Sequence, residues 1–207
     1  MPEAETGAEP AFRFGAVIMA AGGSSRMGGV KQLLVLEGKA LIARTVDAVL
    51  ASAARPVVVV LGANAEGVRE PIARHPVLAV FNAEWPSGLA SSVRAGVAAL
   101  LAADPGLDAV LLAPCDQPAL SAEIISRLAA VHRESDRIAA ARFGGRTGAP
   151  AVFGRRHFAA LRALEGDEGA RRLLNRCPQD VAALDLPELG VDLDTPADYR
   201  SWVGQHY

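Results

Sequence analysis

The feature that most constrains the fold is an alternation of short apolar runs with segments of helical periodicity. The runs are rich in aliphatic and β-branched residues, contain no charged residue, and cover residues 15–20, 57–61, 77–81 and 109–113. Such runs are typical of strands buried on both faces of a sheet. The helical segments between them provide the long crossovers that parallel strands require. The sequence therefore predicts an α/β fold, in which a single domain is built on a mostly parallel open sheet with helices on both faces.

The pattern loosens after about residue 137. Residues 137–142 and 151–153 are predicted strands on either side of a glycine-rich turn, residues 144–150, and we interpret this region as an addition that faces the substrate. Predicted helices at 155–164 and 168–175 and a predicted strand at 181–186 follow. Thr195, Pro196 and Asp198 have the order of an N-cap, a first helical residue and a capping-box acid, so a final helix is expected to run to about Trp202.

Composition excludes several classes of function. The chain of 207 residues is 51% hydrophobic, which is enough apolar material for one packed core. A formal net charge of −2 without a Lys/Arg-rich block argues against binding to nucleic acid, because that binding needs a concentrated basic surface. No apolar run approaches the ~20 residues of a membrane-spanning helix, so we expect no membrane association.

The cysteines and the first residues of the chain bear on its location. Cys115 and Cys177 imply no disulfide framework and fit a reducing cytoplasm. Residues 1–13 are acidic and rich in Pro, Gly and Ala, and they lack the basic start and the apolar stretch of a signal peptide. We therefore expect a cytoplasmic protein in which residues 1–13 form a disordered tail and residues 14–207 form the domain.

The segment that most directly indicates chemistry is the glycine loop, residues 19–31, which reads MAAGGSSRMGGVK and follows the first predicted strand. In an open parallel sheet, the loops at the carboxyl ends of the strands form the ligand crevice. Small residues let backbone N–H groups approach an anion closely, and Arg26 and Lys31 add positive charge. The loop therefore predicts a polyphosphate site.

Two familiar phosphate-binding motifs do not fit the glycine loop. Gly23 and Gly28 have the spacing of a P-loop, but position 29 is Gly where a P-loop has Lys. A dinucleotide fingerprint requires GxGxxG, whereas residues 22–27 read GGSSRM. From the residues alone, a flexible Gly/Ser turn with solvated charges stays open as the alternative.

A candidate metal ligand follows another predicted strand. Asp116 lies just after the apolar run 109–112, which places it at the same edge of the sheet as the glycine loop. Mg²⁺ prefers one or two carboxylates together with phosphate oxygens and water, so one Asp beside a triphosphate is sufficient to anchor it. The alternative is that Asp116 caps the helix that begins before Glu123.

The glycine loop resembles the signature of the NTP-transferase family, L-A-A-G-x-S-x-R-M-G-x-x-K, with Met19 in place of the first Leu. The Ala-Ala-Gly opening and the continuation KQLL at 31–34 resemble molybdenum cofactor cytidylyltransferases, which are related to the guanylyltransferases. The resemblance covers about residues 14–203 and implies a nucleotide-diphospho-sugar transferase-like, Rossmann-like fold. It also implies a set of nucleotide-binding residues: Ala20, Ala21, Gly22, Gly23, Ser24, Ser25, Arg26, Lys31, Gly88, Ser91 and Ser92.

The same resemblance implies a metal site and an acceptor site. It places Mg²⁺ on Asp116 and on a late D-x-D-T-P element, in which Asp192 is favoured with Asp194 close behind, because residues two apart in an extended segment point to the same side. The alternative is that these two Asp residues only stabilise the turn before the last helix and interact with the dipole of that helix. The implied acceptor residues are Gly148, Pro150, Asp167 and Arg171, of which Arg171 would hold a phosphate with its bidentate fork.

The resemblance implies transfer of CMP from CTP to a phosphorylated, molybdopterin-type acceptor with release of pyrophosphate. Arg26, Lys31 and Asp116 would be the catalytic residues. Residues of about 14–136 would bind the nucleotide, and residues of about 137–190 would face the acceptor. A molybdoenzyme or its chaperone would be a partner. Relatives have His or Asn where this chain has Ala149, which leaves the acceptor open. The alternatives are another NTP, a sugar or polyol phosphate as acceptor, and a non-catalytic nucleotide-binding accessory protein.

Overall fold

The computed structural model describes residues 11–167 and 169–206. The strands are β1 (Phe14–Ala20), β2 (Val35–Leu36), β3 (Lys39–Ala40), β4 (Val57–Leu61), β5 (Leu78–Phe81), β6 (Ala109–Pro114), β7 (Ile138–Phe143), β8 (Arg146–Gly154) and β9 (Val181–Asp185). The α-helices are α1 (Leu41–Leu50), α2 (Ala65–Arg69), α3 (Leu89–Ala103), α4 (Ala122–Ser135), α5 (Phe158–Arg162), α6 (Arg171–Arg176) and α7 (Pro196–His206). Short 3₁₀ helices cover Lys31–Leu33, Glu70–Ile72, Trp85–Ser87, Arg155–His157, Pro178–Asp180 and Pro187–Gly190.

Seven strands form one sheet in the order β5-β4-β1-β6-β8-β7-β9, and β2 pairs with β3 in a separate small hairpin. Strand β8 runs antiparallel to both of its neighbours, β6 and β7, whereas the other four pairings in the sheet are parallel. The predicted α/β fold with a mostly parallel sheet is confirmed.

The core lies on both faces of this sheet. One apolar layer joins α1 and α4 to the strands through residues such as Ile42, Val46 and Ile125. The opposite layer joins α3 and α5 through residues such as Val97 and Phe158. Along β1, consecutive residues alternate between the two layers, which is the reason that the strand sequences are apolar without a break.

The topology fixes the place of a ligand crevice. From β1 the chain moves outward through β4 to β5, and α3 then carries it back to β6 on the other side of β1. The carboxyl ends of β1 and β6 are therefore the topological switch point, where ligands bind in open α/β sheets. The glycine loop leaves β1 at this point, and Asp116 follows β6.

The region after residue 137 differs from the prediction in its details. The glycine-rich turn is limited to Gly144 and Gly145, and residues 146–150 belong to β8 instead. Both glycines have positive φ, 53° and 72°, as the twist of a two-residue hairpin requires. This turn allows Phe143 to pair directly with Arg146.

The helices of this region are also shorter than predicted. The predicted helix 155–164 is divided into the 3₁₀ turn Arg155–His157 and α5. Helix α6 begins only at Arg171, and Glu168 lies outside the described residues.

The start of the described chain packs on the domain. Residues 11–13 fall within the predicted tail, yet the Phe12 ring stacks on Phe14 with 5.6 Å between centroids. The backbone N–H of Arg13 donates to Asp108 Oδ2 at 2.8 Å. These contacts tie the chain to the domain before β1 begins, and the other residues of the predicted tail, 1–10, lie outside the described residues.

The predicted capping box at the start of α7 is confirmed. The backbone N–H of Asp198 donates to Thr195 Oγ1 at 3.2 Å, and the backbone N–H of Thr195 donates to Asp198 Oδ2 at 2.7 Å. Tyr199 Oη donates to the carbonyl of Val35, which fastens the helix to the β2–β3 hairpin. In the part of the chain that the structure describes, no helix is long and apolar enough to cross a membrane.

Candidate active site

The glycine loop is organised from behind by a buried glutamine. Gln32 is 2% exposed, and its Nε2 donates to the carbonyls of Ala20 at 3.0 Å and Gly22 at 2.9 Å. Its Oε1 accepts from Ser24 Oγ at 3.2 Å, and Ser24 Oγ in turn accepts from the backbone N–H of Lys31 at 3.1 Å. These bonds hold the two ends of the loop together, so its shape does not depend on a ligand.

The loop also presses against β4. The backbone N–H of Ala63 donates to the carbonyl of Ala21 at 3.1 Å, and a Cβ atom on Gly62 would lie 2.4 Å from the same carbonyl oxygen. Only glycine therefore fits at position 62, because any side chain would displace the loop.

A lysine joins the loop to the end of β6. Lys31 Nζ donates to Asp116 Oδ2 at 2.6 Å and to Asp194 Oδ1 at 3.1 Å, and Arg26 pairs with Asp194 Oδ2 at 2.9 Å. Burial disfavours the ammonium form of Lys31, but the attraction of Asp116 and Asp194 outweighs burial and raises the pKa of Lys31. Lys31 is therefore positively charged at neutral pH and faces the crevice.

Asp192 occupies a different environment from Asp194. Its Oδ1 accepts from Gln117 Nε2 at 3.2 Å, and its Oδ2 accepts from the guanidinium of Arg146. Burial and, after it, the charge of Asp116 raise the pKa of Asp192. Asp116 and Asp192 line a common cavity, and a cation there would relieve the repulsion between the two carboxylates.

The segment that carries these acids corrects the expectation of an extended chain. The backbone N–H of Asp194 donates to the carbonyl of Asp192 at 3.0 Å, which closes a three-residue turn. The N–H of Leu193 donates to the carbonyl of Asp116 at 2.9 Å and docks the turn on the end of β6. Because of the turn, Asp194 contacts Arg26 and Lys31, and Asp192 contacts Gln117 and Arg146.

Two cavities meet at Asp116. The first, which we name the loop cavity, has a volume of about 500 Å³. Its lining comes from the glycine loop, the start of α3 and the end of β6: Met19, Ala21, Gly22, Gly23, Arg26, Lys31, Gln32, Trp85, Pro86, Gly88, Leu89, Ser92, Pro114, Cys115, Asp116 and Asp167.

The second, which we name the hairpin cavity, has a volume of about 600 Å³. Its lining comes from the β7–β8 hairpin, the ends of β1 and β6, and α6: Met19, Arg26, Leu89, Pro114, Asp116, Gln117, Phe143, Arg146, Gly148, Ala149, Asp167, Ala170, Arg171, Asn175 and Asp192. Arg26, Asp116 and Asp167 line both cavities, so a ligand in one would contact a ligand in the other across these side chains.

The start of α3 is built by a buried asparagine. Asn82 Nδ2 donates to Ser91 Oγ at 2.9 Å and to Ser92 Oγ at 3.1 Å. The single hydroxyl hydrogen of Ser91 has the carbonyls of Glu84 and Gly88 within reach, at 2.9 Å and 2.8 Å, so Ser91 is committed to the turn. Ser92 lines the loop cavity. Of the two predicted serines, Ser92 alone is placed to contact a ligand there.

The structure brings most of the predicted residues together. Ala21, Gly22, Gly23, Arg26, Lys31, Gly88, Ser92 and Asp116 line the loop cavity, and Gly148, Asp167, Arg171 and Asp192 line the hairpin cavity. The remaining predicted residues do not belong to the lining of either cavity: Ala20, Ser24, Ser25, Ser91, Pro150 and Asp194.

Sequence reasoning missed residues on both sides. Gln32 and Gln117 are almost fully buried and hold the loop and Asp192 in place. Arg146 pairs with Asp192 from the start of β8. Trp85 lines the loop cavity against Gly23, 3.5 Å from where a Cβ atom would be. The position of Gln32 directly after Lys31 was the one available signal.

The donors present fit a hard divalent cation. Asp116 lines both cavities and Asp192 lines the hairpin cavity, so two carboxylates are available there. Among the described residues, no group of three or more His, Cys, Asp or Glu could hold a metal. A cation there would therefore complete its coordination with ligand oxygens and water, as Mg²⁺ prefers. Burial, and after it the charge of Asp116, raises the pKa of the neighbouring Cys115 thiol to about 12.

Comparison with known proteins places this geometry in a family. A family model described as the MobA-like NTP transferase domain matches residues 16–181. Nicotine blue oxidoreductase of Paenarthrobacter nicotinovorans is 35% identical over 191 residues, 86% of this chain and 91% of that relative.

Two solved structures are similar in fold and sequence. The Rv0371c protein of Mycobacterium tuberculosis, solved in complex with manganese, has a TM-score of 0.78 and 25% identity over 93% of this chain and 98% of that chain. A nucleotidyl transferase from Methanothermobacter has a TM-score of 0.78 and 26% identity, and the match covers 93% of this chain and 97% of that chain. With a family model matching most of its length, this chain belongs to the MobA-like NTP transferase family and is a nucleotidyltransferase.

Proposed function

We propose that the chain transfers CMP from CTP to a molybdopterin-type, phosphorylated acceptor and releases pyrophosphate. The observation that carries this proposal is the contact of Lys31 Nζ with Asp116 Oδ2 at 2.6 Å, at the boundary of two adjoining cavities. The ammonium of Lys31 can bind a phosphate, and the carboxylate of Asp116 beside it can bind a metal cation.

Residues 14–136 bind the nucleotide in this proposal. Backbone N–H groups of the glycine loop and the side chains of Arg26 and Lys31 hold the triphosphate, while Gly88, Ser92 and Trp85 lie along the base and ribose. Lys31 keeps its charge because Asp116 and Asp194 outweigh the effect of its burial. Neutralising the charge of the leaving pyrophosphate is the main contribution expected of Arg26 and Lys31.

Asp116 and Asp192 would hold a divalent cation, with Mg²⁺ favoured. When bound, the cation would neutralise phosphate charge. A related protein has been solved with manganese, and the placement of Asp116 and Asp192 in the lining of one cavity supports this pair. Asp194 instead keeps Arg26 and Lys31 in position, since both cations contact it.

Residues 137–190 hold the acceptor in the hairpin cavity. Gly148, Pro150 and Asp167 shape this side, and Arg171 can offer a phosphate two parallel N–H donors. An oxygen of the acceptor phosphate attacks the α-phosphorus in line with the leaving pyrophosphate. The chain contributes positioning and charge neutralisation to this step, with no covalent enzyme intermediate.

The choices of CTP and of a molybdopterin-type acceptor rest on the resemblance of the glycine loop to cytidylyltransferases. Ala149 lines the hairpin cavity and provides no side-chain donor. A different NTP, a sugar or polyol phosphate as acceptor, and a non-catalytic accessory role are therefore the alternatives. A molybdoenzyme or its chaperone would receive the product, in the cytoplasm.

The test is pyrophosphate release with Mg²⁺ and each of the four NTPs, with and without molybdenum cofactor and with a panel of sugar and polyol phosphates. We expect release with CTP that depends on molybdenum cofactor and is lost in Asp116→Asn. The matched control is Asp185→Asn, whose carboxylate is paired with Arg142 away from both cavities. Nucleotide binding without release for any NTP would favour the accessory role.

A redox function is a second candidate, because a relative 35% identical over most of both chains has the name of an oxidoreductase. A loop that binds phosphates can also bind a reductant that carries a diphosphate. The same protein should therefore be incubated with NADH and NADPH and a quinonoid dye, and the absorbance of the reductant followed. Its oxidation, without pyrophosphate release from any NTP, would favour this candidate.

A further inference from the structure

We propose that Arg146 binds the phosphate of the acceptor. Without a metal, Arg146 is paired with Asp192, and it is released when a divalent cation binds to that carboxylate. This inference rests on the proposed function, because it assigns a role within the same site. It concerns a residue that the sequence motifs do not single out.

The backbone at Arg146 is fixed, whereas its side chain is accessible. Arg146 follows the two-residue turn Gly144–Gly145 and pairs with Phe143 across the hairpin. Its guanidinium lies over the Phe143 ring, 5.0 Å from the centroid. The side chain is 46% exposed and lines the hairpin cavity. This cation–π contact with Phe143 stabilises the guanidinium independently of its pairing with Asp192.

The pairing of Arg146 conflicts with a metal on Asp192. Oδ2 of Asp192 accepts from Arg146, and Oδ1 accepts from Gln117. Each oxygen therefore already accepts one hydrogen bond, and a guanidinium beside a divalent cation would add repulsion between like charges. Gln117 is neutral and 3% exposed. Arg146, which is positively charged and 46% exposed, is therefore the donor that a cation on Asp192 would displace.

A released Arg146 would lie where the acceptor is expected. Arg171 and Asn175 line the same hairpin cavity. Two guanidinium groups on one cavity can share the roughly two negative charges of a phosphate monoester through charge-assisted, bidentate bonds. Binding of the cation and binding of the acceptor phosphate are thereby coupled, and the coupling must be equal in both directions.

Arg146→Met tests this role, because Met keeps an apolar chain over Phe143 and removes the charge. Arg142→Met is the matched control: Arg142 is on the same hairpin, and its Nη2 donates to Asp185 Oδ2 at 2.7 Å. The thermal midpoint of each variant checks that the fold is retained. Two dissociation constants are measured by calorimetry without nucleotide, so the result does not depend on transferase activity.

The first constant is that of Mn²⁺ alone. We expect Arg146→Met to bind Mn²⁺ about two- to fivefold more tightly than wild type, since a partly exposed ion pair is worth that factor. The second is that of inorganic phosphate at saturating Mg²⁺. We expect Arg146→Met to bind it about tenfold more weakly, the factor for a hydrogen bond to a charged group, with Arg142→Met near wild type in both.

Opposite changes in the two affinities would not arise from a purely structural role. Unchanged or weaker Mn²⁺ binding in Arg146→Met would overturn the inference, as would equal phosphate affinity in wild type and both variants. If pyrophosphate release fails but the two affinities change as expected, the proposed reaction is wrong and the role of Arg146 stands.

Discussion

The two halves of the sheet line their cavities with different parts of the chain. The loop side is formed by β5, β4, β1 and β6, and the hairpin side is formed by β8, β7 and β9. On the loop side, main-chain groups are fixed from behind by Gln32 and by the close approach of Gly62 to Ala21. On the hairpin side, long side chains such as Arg146 and Arg171 project from a hairpin and a short helix. The loop side suits a constant ligand portion such as a triphosphate, whereas the hairpin side can change its ligand through single substitutions.

The largest effect is expected at Asp116, which lines both cavities. Asp116→Asn should lower turnover by about 100- to 1000-fold, the range for removal of one electrostatic stabilising group. The fold should be retained, because Lys31 keeps Asp194 as a partner. Steady-state pyrophosphate release and the thermal midpoint measure the two quantities. Turnover within a factor of three of the Asp185→Asn control would remove Asp116 from the mechanism.

A methyl group should affect the two halves differently. Gly62→Ala places Cβ 2.4 Å from the carbonyl oxygen of Ala21, and such overpacking costs about 1–3 kcal/mol of stability. At Gly148, on the hairpin side, a Cβ atom would meet nothing within 4 Å, so Gly148→Ala should change stability little. Urea unfolding of both variants compares the costs, and equal destabilisation would contradict the distinction between the halves.

Arg171 tests the hairpin side alone. Arg171→Met should raise the KM for the acceptor about tenfold, as expected for loss of a hydrogen bond to a charged group, and leave the KM for CTP unchanged. Arg172→Met is the control, since Arg172 is exposed on the same helix. Steady-state kinetics with each substrate varied in turn separates the two constants. A matching rise in the KM for CTP would show that the cavities do not divide the substrates as proposed.

The smallest effect is expected at the cap of α7, outside both cavities. Thr195→Ala should cost about 1 kcal/mol of stability at neutral pH. Hydrogen bonds from the Thr195 side chain and backbone lower the pKa of Asp198, so this stability is present above the ordinary pKa of Asp and is lost as the pH falls through the lowered value. Urea unfolding against pH should show the difference between variant and wild type shrinking on acidification; a difference that grows would contradict this account.

How much the sequence predicts depends on whether a property is local. The strands β1, β4, β5 and β6 were predicted from unbroken apolar runs such as 57–61, because a strand that is buried on both faces needs an apolar residue at every position. The capping box was predicted from Thr195 and Asp198, because its bonds span only three residues. The glycine loop was placed at the correct edge for the same reason.

Long-range pairings left no such signal. Arg146 and Asp192 are 46 residues apart, and no spacing rule connects them. The spacing of Asp192 and Asp194 indicated a shared direction, but the turn closed by the Asp194 N–H gives the two acids different partners. The role of Gln117 depends on Ala149 and Asp192, which approach it only in the folded chain.

The most direct test of the central claim is a crystal structure with Mn²⁺ and a non-hydrolysable CTP analogue, in which anomalous scattering locates the metal. The account predicts the triphosphate in the loop cavity against the glycine loop, Lys31 on its phosphates, and a metal peak in contact with Asp116 and Asp192. A metal held by Asp194 without Asp192, or a triphosphate outside the loop cavity, would contradict it.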